Sequence, residues 1–171
     1  MTYLEVIEMR DNLNKVNYIE GANARFLYAV AINKAKLEVI IKAMNIVVEP
    51  TPDILFYQKE LDRINLRYAE KDQDGTVGYV IHPTFGRAFR KIVGDGNASS
   101  PYMKEVASLK ETFSEEIARQ EAKNRTYKDL LKMDLPAEEF QPLQIDLEIV
   151  PAGLHPLGMQ GCISFIKESS K

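Results

Sequence analysis

The sequence is poor in the side chains that most often carry chemistry: one cysteine, two histidines and no tryptophan in 171 residues. A single cysteine, Cys162, excludes an internal disulfide, so the expected location is a reducing compartment, the cytoplasm. His82 and His155 are distant in sequence and stand in no metal-ligand spacing. No metal and no cofactor is expected, and the chain reads as non-enzymatic. A dominant charge is missing too: 22 Lys and Arg against 25 Asp and Glu leave a net charge of -3, which supplies no overall field for nucleic acid or an anionic membrane. Long apolar runs are also lacking. Phe26 to Ile32 and Val39 to Ile41 are interrupted by Asn33, Lys34, Lys36 and Lys42, which leaves no membrane span. The first nine residues carry Glu5 and Glu8 without a basic leader, so no export signal is expected.

What is present points to a folded, mainly helical chain. Forty-five per cent apolar and 27% charged residues are ordinary globular proportions, and the length suffices for one core. The expectation is a mostly α (α+β) fold: one elongated helical domain over 1–171, with an insertion at 76–100 and a β-containing tail at 134–171. Tyr3 to Met9 reads as a short helix. Ala22 to Asn45 reads as a long one, through Phe26, Val30, Leu37, Ile40, Ile41 and Met44. Thr51, Pro52 and Asp53 give an N-cap, a first-turn proline and a first-turn acid for a third helix, running to about Glu70. The short connection between the second and third helices predicts an antiparallel hairpin.

The longest feature is Pro101 to Met133, which contains no internal glycine or proline after its first-turn proline. It reads as a single helix of about 33 residues, roughly 50 Å long. Val106, Phe113, Gln120 and Tyr127 recur every seven residues, as do Lys110, Ile117, Asn124 and Leu131, an imperfect coiled-coil repeat. The expected interface is therefore Val106, Phe113, Ile117, Gln120, Asn124 and Tyr127. Either Gln120 and Asn124 set register across a helix pair, or the stripe simply turns to solvent there.

Shorter motifs carry weaker chemistry. Glu70-x-Asp72-x-Asp74-Gly75 imitates the start of a calcium loop, but Ile81 stands where the closing bidentate acid belongs, so an acidic turn is expected. Val77 to His82 reads as a strand and Phe85 to Val93 as a short helix. His82, Arg87, Arg90 and Lys91, with Phe85 and Phe89, form a small basic cluster suited to an anion or an acidic partner surface. Leu143, Ile145, Leu147 and Ile149 alternate with polar residues, the clearest strand signature here, and the turn-rich bridge after Pro151 leads into a returning strand or a helical turn at Cys162 to Ile166. Cys162 is expected as a small core residue rather than a nucleophile activated by His155.

Three segments together carry a resemblance: Tyr28-Ala29-Val30-Ala31-Ile32-Asn33-Lys34, Leu66-Arg67-Tyr68-Ala69-Glu70-Lys71-Asp72-Gln73-Asp74-Gly75, and Ile145-Asp146-Leu147-Glu148-Ile149-Val150-Pro151. In their order and composition the chain resembles small uncharacterised helical proteins of tailed phages and prophages. The resemblance implies a phage context and helical assembly, in the cytoplasm of a host cell, and assigns no residue a catalytic or binding role. The expected function is a protein-interaction or structural module, with a second copy, a virion component or a host protein as partner. The alternatives are a nucleic-acid-binding accessory protein, using Arg25, Lys34, Arg87, Arg90 and Lys91, and a small-ligand-binding protein or enzyme.

Overall fold

A computed structural model describes residues 1–16, 22–81 and 88–167. The chain is mostly helical with small sheets, the α+β class expected. The order is α1 (Tyr3–Leu13), α2 (Ala24–Ile46), α3 (Pro52–Arg67), β1 (Tyr79–Ile81), β2 (Ala88–Arg90), α4 (Pro101–Thr112), α5 (Ser114–Leu130), β3 (Ile145–Asp146), α6 (Pro156–Cys162) and β4 (Ile166–Lys167). These elements gather into two compact units, one of Met1–Glu49 with Lys123–Lys171, the other of Pro50–Ala122. The boundary falls inside α5. The insertion at 76–100 belongs to the second unit and the tail at 134–171 to the first.

The first unit is built around α2. Asn23 caps it by accepting the Arg25 N–H at 2.8 Å, and Phe26, Ala29, Val30, Leu37, Ile40, Ile41 and Met44 enter the core with Val6 and Leu13 of α1. α1 starts with a capping box: Thr2 Oγ1 accepts the Glu5 N–H, and Glu5 Oε2 accepts the Thr2 N–H. Two further N–H groups of its first turn, on Tyr3 and Leu4, donate to the carbonyls of Met133 and Leu131 just past α5. The unsatisfied donors of this helix end are thus met by the turn that follows α5.

α6 closes the other side of α1. A Cβ on Gly161 would lie 3.0 Å from both the Leu13 nitrogen and the Asn12 Cβ, so only glycine permits this approach of α6 to α1. Cys162 and Phe165 then enter the core with no exposed surface, and β4 pairs in parallel with β3, Ile166 opposite Ile145.

In the second unit α3 packs on α4 through Ile64, Tyr102 and Val106. Thr51 caps α3 and Ser100 caps α4, each followed by proline as the sequence predicts. The Ser100 hydroxyl also donates to the Gly94 carbonyl at 2.8 Å. Gly94 has φ +83°, and a Cβ there would stand 2.7 Å from Ser100, so this turn requires glycine twice over. β1 and β2 pair antiparallel, Tyr79 opposite Arg90.

Several expectations change. The rod is two helices, because at Phe113 the backbone leaves helical geometry (φ -107°, ψ 19°). Thr112 bonds back to the Ser108 carbonyl at 2.9 Å, a contact that bends helices, and the Phe113 ring turns to Phe56 and Tyr57, with centroids 6.0 and 5.8 Å away. Within the first unit α2 packs on α1, and within the second α3 packs on α4, each apolar stripe finding cover inside its own unit. The short helix expected from Phe85 contains β2, whose backbone partner is β1; residues 82–87 lie outside the described residues. The tail strand shrinks to Ile145–Asp146, followed by a 3-10 turn at Leu147–Ile149, because the backbone of Leu143 is bound by a side chain of α2. Among the described residues no helix is long and apolar enough to cross a membrane.

Candidate interaction surface

α2 is apolar on both its sides, and that sets the chemistry of its surroundings. One side forms the core just described. On the other, Tyr28, Val39 and Ile46 keep 62%, 71% and 63% of their surface in water, with Ala31, Ala35 and Ala43 exposed among them. An amphipathic helix would carry charge here. Only Lys42 and the flanking Lys36 and Arg25 do so among its exposed residues.

Two open clefts flank α2, both inside the first unit. Near its N-terminus a cleft of about 470 Å³ has Ala29, Ile145 and Ile149 as apolar lining, with Arg25, Tyr28, Gln144 and Asp146 as its polar groups. Towards its C-terminus a second, of about 430 Å³, lies between Val39, Ile40, Met44 and Val47 of the α2 segment and Tyr3, Leu130 and Glu139. The Tyr3 hydroxyl donates to Glu139 Oε2 at 3.3 Å. Burial raises the Tyr3 pKa first, and the Glu139 charge and hydrogen bond raise it further. The phenol therefore stays neutral at physiological pH. Such clefts suit apolar side chains with a polar contact at the edge.

The expected seam is not gathered into one free face. Val106 is buried against Ile64 and Tyr102. Phe113 is half-buried by Phe56 and Tyr57, and Ile117 and Gln120 are half-buried. Asn124 is exposed, whereas Tyr127 packs on the core of the first unit and its hydroxyl donates to Asn45 Oδ1 at 3.3 Å. Val106 and Tyr127 serve two separate intramolecular cores.

Of the basic cluster, His82 and Arg87 lie outside the described residues. Arg90 is ion-paired with Asp62, and Lys91 stands 3.8 Å from Glu70. The calcium-like segment is a tight turn: Asp74 Oδ1 accepts both the backbone N–H and the hydroxyl of Thr76, which lowers the Asp74 pKa, and Gly75 takes φ +83°. Among the described residues no three His, Cys, Asp or Glu side chains are grouped to hold a metal ion.

No family model, curated protein or solved structure matches this chain.

Cys162 is a core residue, and burial pushes its thiol up to about 12. His155 instead caps α6, its Nδ1 accepting the Leu157 N–H at 3.2 Å. With almost no thiolate present, the folded protein is expected to resist a thiol-exchange reagent near pH 8 and to react in full once denatured. Prompt labelling of folded protein would contradict this placement.

Sequence reasoning passed over the outer side of α2. The available signal was that Ala22 to Asn45 has too many apolar positions for one stripe: Tyr28, Ile32 and Val39, with Ile46 just beyond, fall outside the set that builds the core.

Proposed function

We propose that this chain is a non-enzymatic protein-interaction or assembly module. The observation that carries the reading is the second apolar side of α2, left in water and flanked by two open clefts. Contiguous exposed apolar surface is a marker of protein contact sites. The likeness to phage and prophage proteins extends the proposal to a phage setting, with another copy, a virion component or a host protein as partner. The nucleic-acid alternative draws less support, because Arg90 and Lys91 stand against Asp62 and Glu70. The test is light scattering over a wide concentration range together with cross-linked affinity capture. Self-association, or a stoichiometric partner recovered by capture, is the expected result. A monomer at every concentration with no partner would overturn the reading.

A further inference from the structure

The chain contains two Asp-Gly steps, Asp74-Gly75 and Asp95-Gly96, and both glycines lie in the left-handed region, at φ +83° and +77°. Such a step can close on itself, because a glycine nitrogen with no Cβ beside it is open to the preceding side-chain carboxyl. The two turns treat that chemistry differently. At Asp74-Gly75 both reacting groups are engaged. The Gly75 N–H donates to the Asp72 carbonyl at 2.8 Å, and Asp74 Oδ1 accepts the Thr76 hydroxyl at 2.7 Å and the Thr76 N–H at 2.9 Å. The two Thr76 bonds, the hydroxyl's first, hold the Asp74 pKa down and so deplete the neutral acid that could lose hydroxyl. At Asp95-Gly96 neither group is held. The Gly96 N–H and the Asp95 carboxyl make no hydrogen bond among the described residues, both residues are exposed, and nothing lies within 4 Å of where a Gly96 Cβ would stand.

We propose that Asp95-Gly96 is a site of spontaneous backbone isomerisation, converting Asp95 to an isoaspartyl residue in the folded protein. The Gly96 nitrogen loses its proton and bonds to Asp95 Cγ, and the carboxyl hydroxyl leaves with that proton as water. A cyclic imide results. Water then adds back at either carbonyl. Opening at the new bond restores aspartate, whereas opening at the original peptide bond leaves the chain running through Asp95 Cβ and Cγ, with the α-carboxyl as its side chain. Only water is released and taken up, so the step needs no enzyme, oxidant or partner. The added backbone atom falls between Gly94 and Asn97, whose N–H donates to the Gly94 carbonyl at 3.2 Å. The same carbonyl accepts the hydroxyl of Ser100, the N-cap of α4. The modification therefore acts on the turn that holds the start of α4.

The test ages the full folded chain near neutral pH, digests it with trypsin and locates isoaspartate by electron-transfer fragmentation. Trypsin separates the two steps into peptides 72–87 and 92–104. Folded protein is expected to accumulate about tenfold more isoaspartate at Asp95 than at Asp74, the factor that two or more hydrogen bonds of ordinary net strength supply. Chain aged in denaturant, where neither turn persists, is expected to modify the two steps to a similar extent. Asp95→Glu lengthens an exposed side chain and makes ring closure far slower, so peptide 92–104 should stay unmodified while far-ultraviolet dichroism is unchanged. Equal accumulation at the two steps of folded protein, or more at Asp74, overturns the site. Isoaspartate that persists in peptide 92–104 of Asp95→Glu assigns it to another residue and overturns it too. A preference for Asp95 that survives in denaturant overturns the structural cause, since flanking sequence alone would then select the step.

Discussion

Replacing Asn33 with alanine is expected to destabilise the protein by about 2–3 kcal/mol, measured as a lower midpoint in urea with the slope unchanged. Asn33 sits in the middle of α2 with no exposed surface, an unusual place for an amide. Its Nδ2 donates to the Leu143 carbonyl at 3.0 Å, and its Oδ1 accepts the Leu143 N–H at 2.7 Å. The side chain thus pairs with the tail as a neighbouring strand would. Alanine leaves both backbone groups of Leu143 unpaired, each at a cost of about 1–3 kcal/mol. Leu143 itself is 38% exposed, so water recovers part of the loss and the low end of the summed range applies. Asn33→Asp keeps the acceptor but sets a buried carboxylate against the Leu143 carbonyl, and should be at least as damaging. Lys36→Ala, which removes an exposed contact to the Gln141 carbonyl, should cost far less. Equal effects of the Asn33 and Lys36 changes would refute the clamp.

The second large effect is expected at the end of the chain, where Phe165→Ala should cost about 3–5 kcal/mol. Phe165 is fully buried with Val6, Leu13, Phe26 and Leu37, so truncation removes apolar transfer energy and leaves a cavity among helices already fixed by other contacts. Ile163, two residues earlier, is 64% exposed, and Ile163→Ala should stay within about 0.5 kcal/mol. Thermal or urea unfolding of the two variants decides the matter. Similar stabilities would mean that the terminal segment does not close the core.

Helix starts were the most legible part of the structure, because their causes are local. Thr51-Pro52 and Ser100-Pro101 each combine a capping oxygen with a proline whose missing N–H costs nothing in the first turn. The break at Phe113 was not legible, since no glycine or proline marks it. It arises from a threonine bonding back along the helix and from two aromatic rings brought up by α3. The tail misled for a related reason. Its alternation promised a strand, but an alternating segment needs a backbone partner, and Asn33 occupies that role at Leu143.

The candidate surface divides in the same way. Seven-residue recurrences were read in the segment from Pro101 to Met133, yet periodicity states only that positions share a side of a helix, not what covers that side. Val106 and Tyr127 are consumed by two separate intramolecular cores, whereas the outer positions of α2 are left in water.

By itself, then, the sequence determined the helical class, the capped starts of α3 and α4 and the structural character of Cys162, because each follows from neighbouring residues or from composition. Only the tertiary structure decided which helices pair, where the long segment breaks, what Asn33 holds and which apolar side remains uncovered. Those outcomes depend on residues far apart in the chain competing for the same apolar surface and the same backbone hydrogen bonds. No local pattern encodes the winner of that competition.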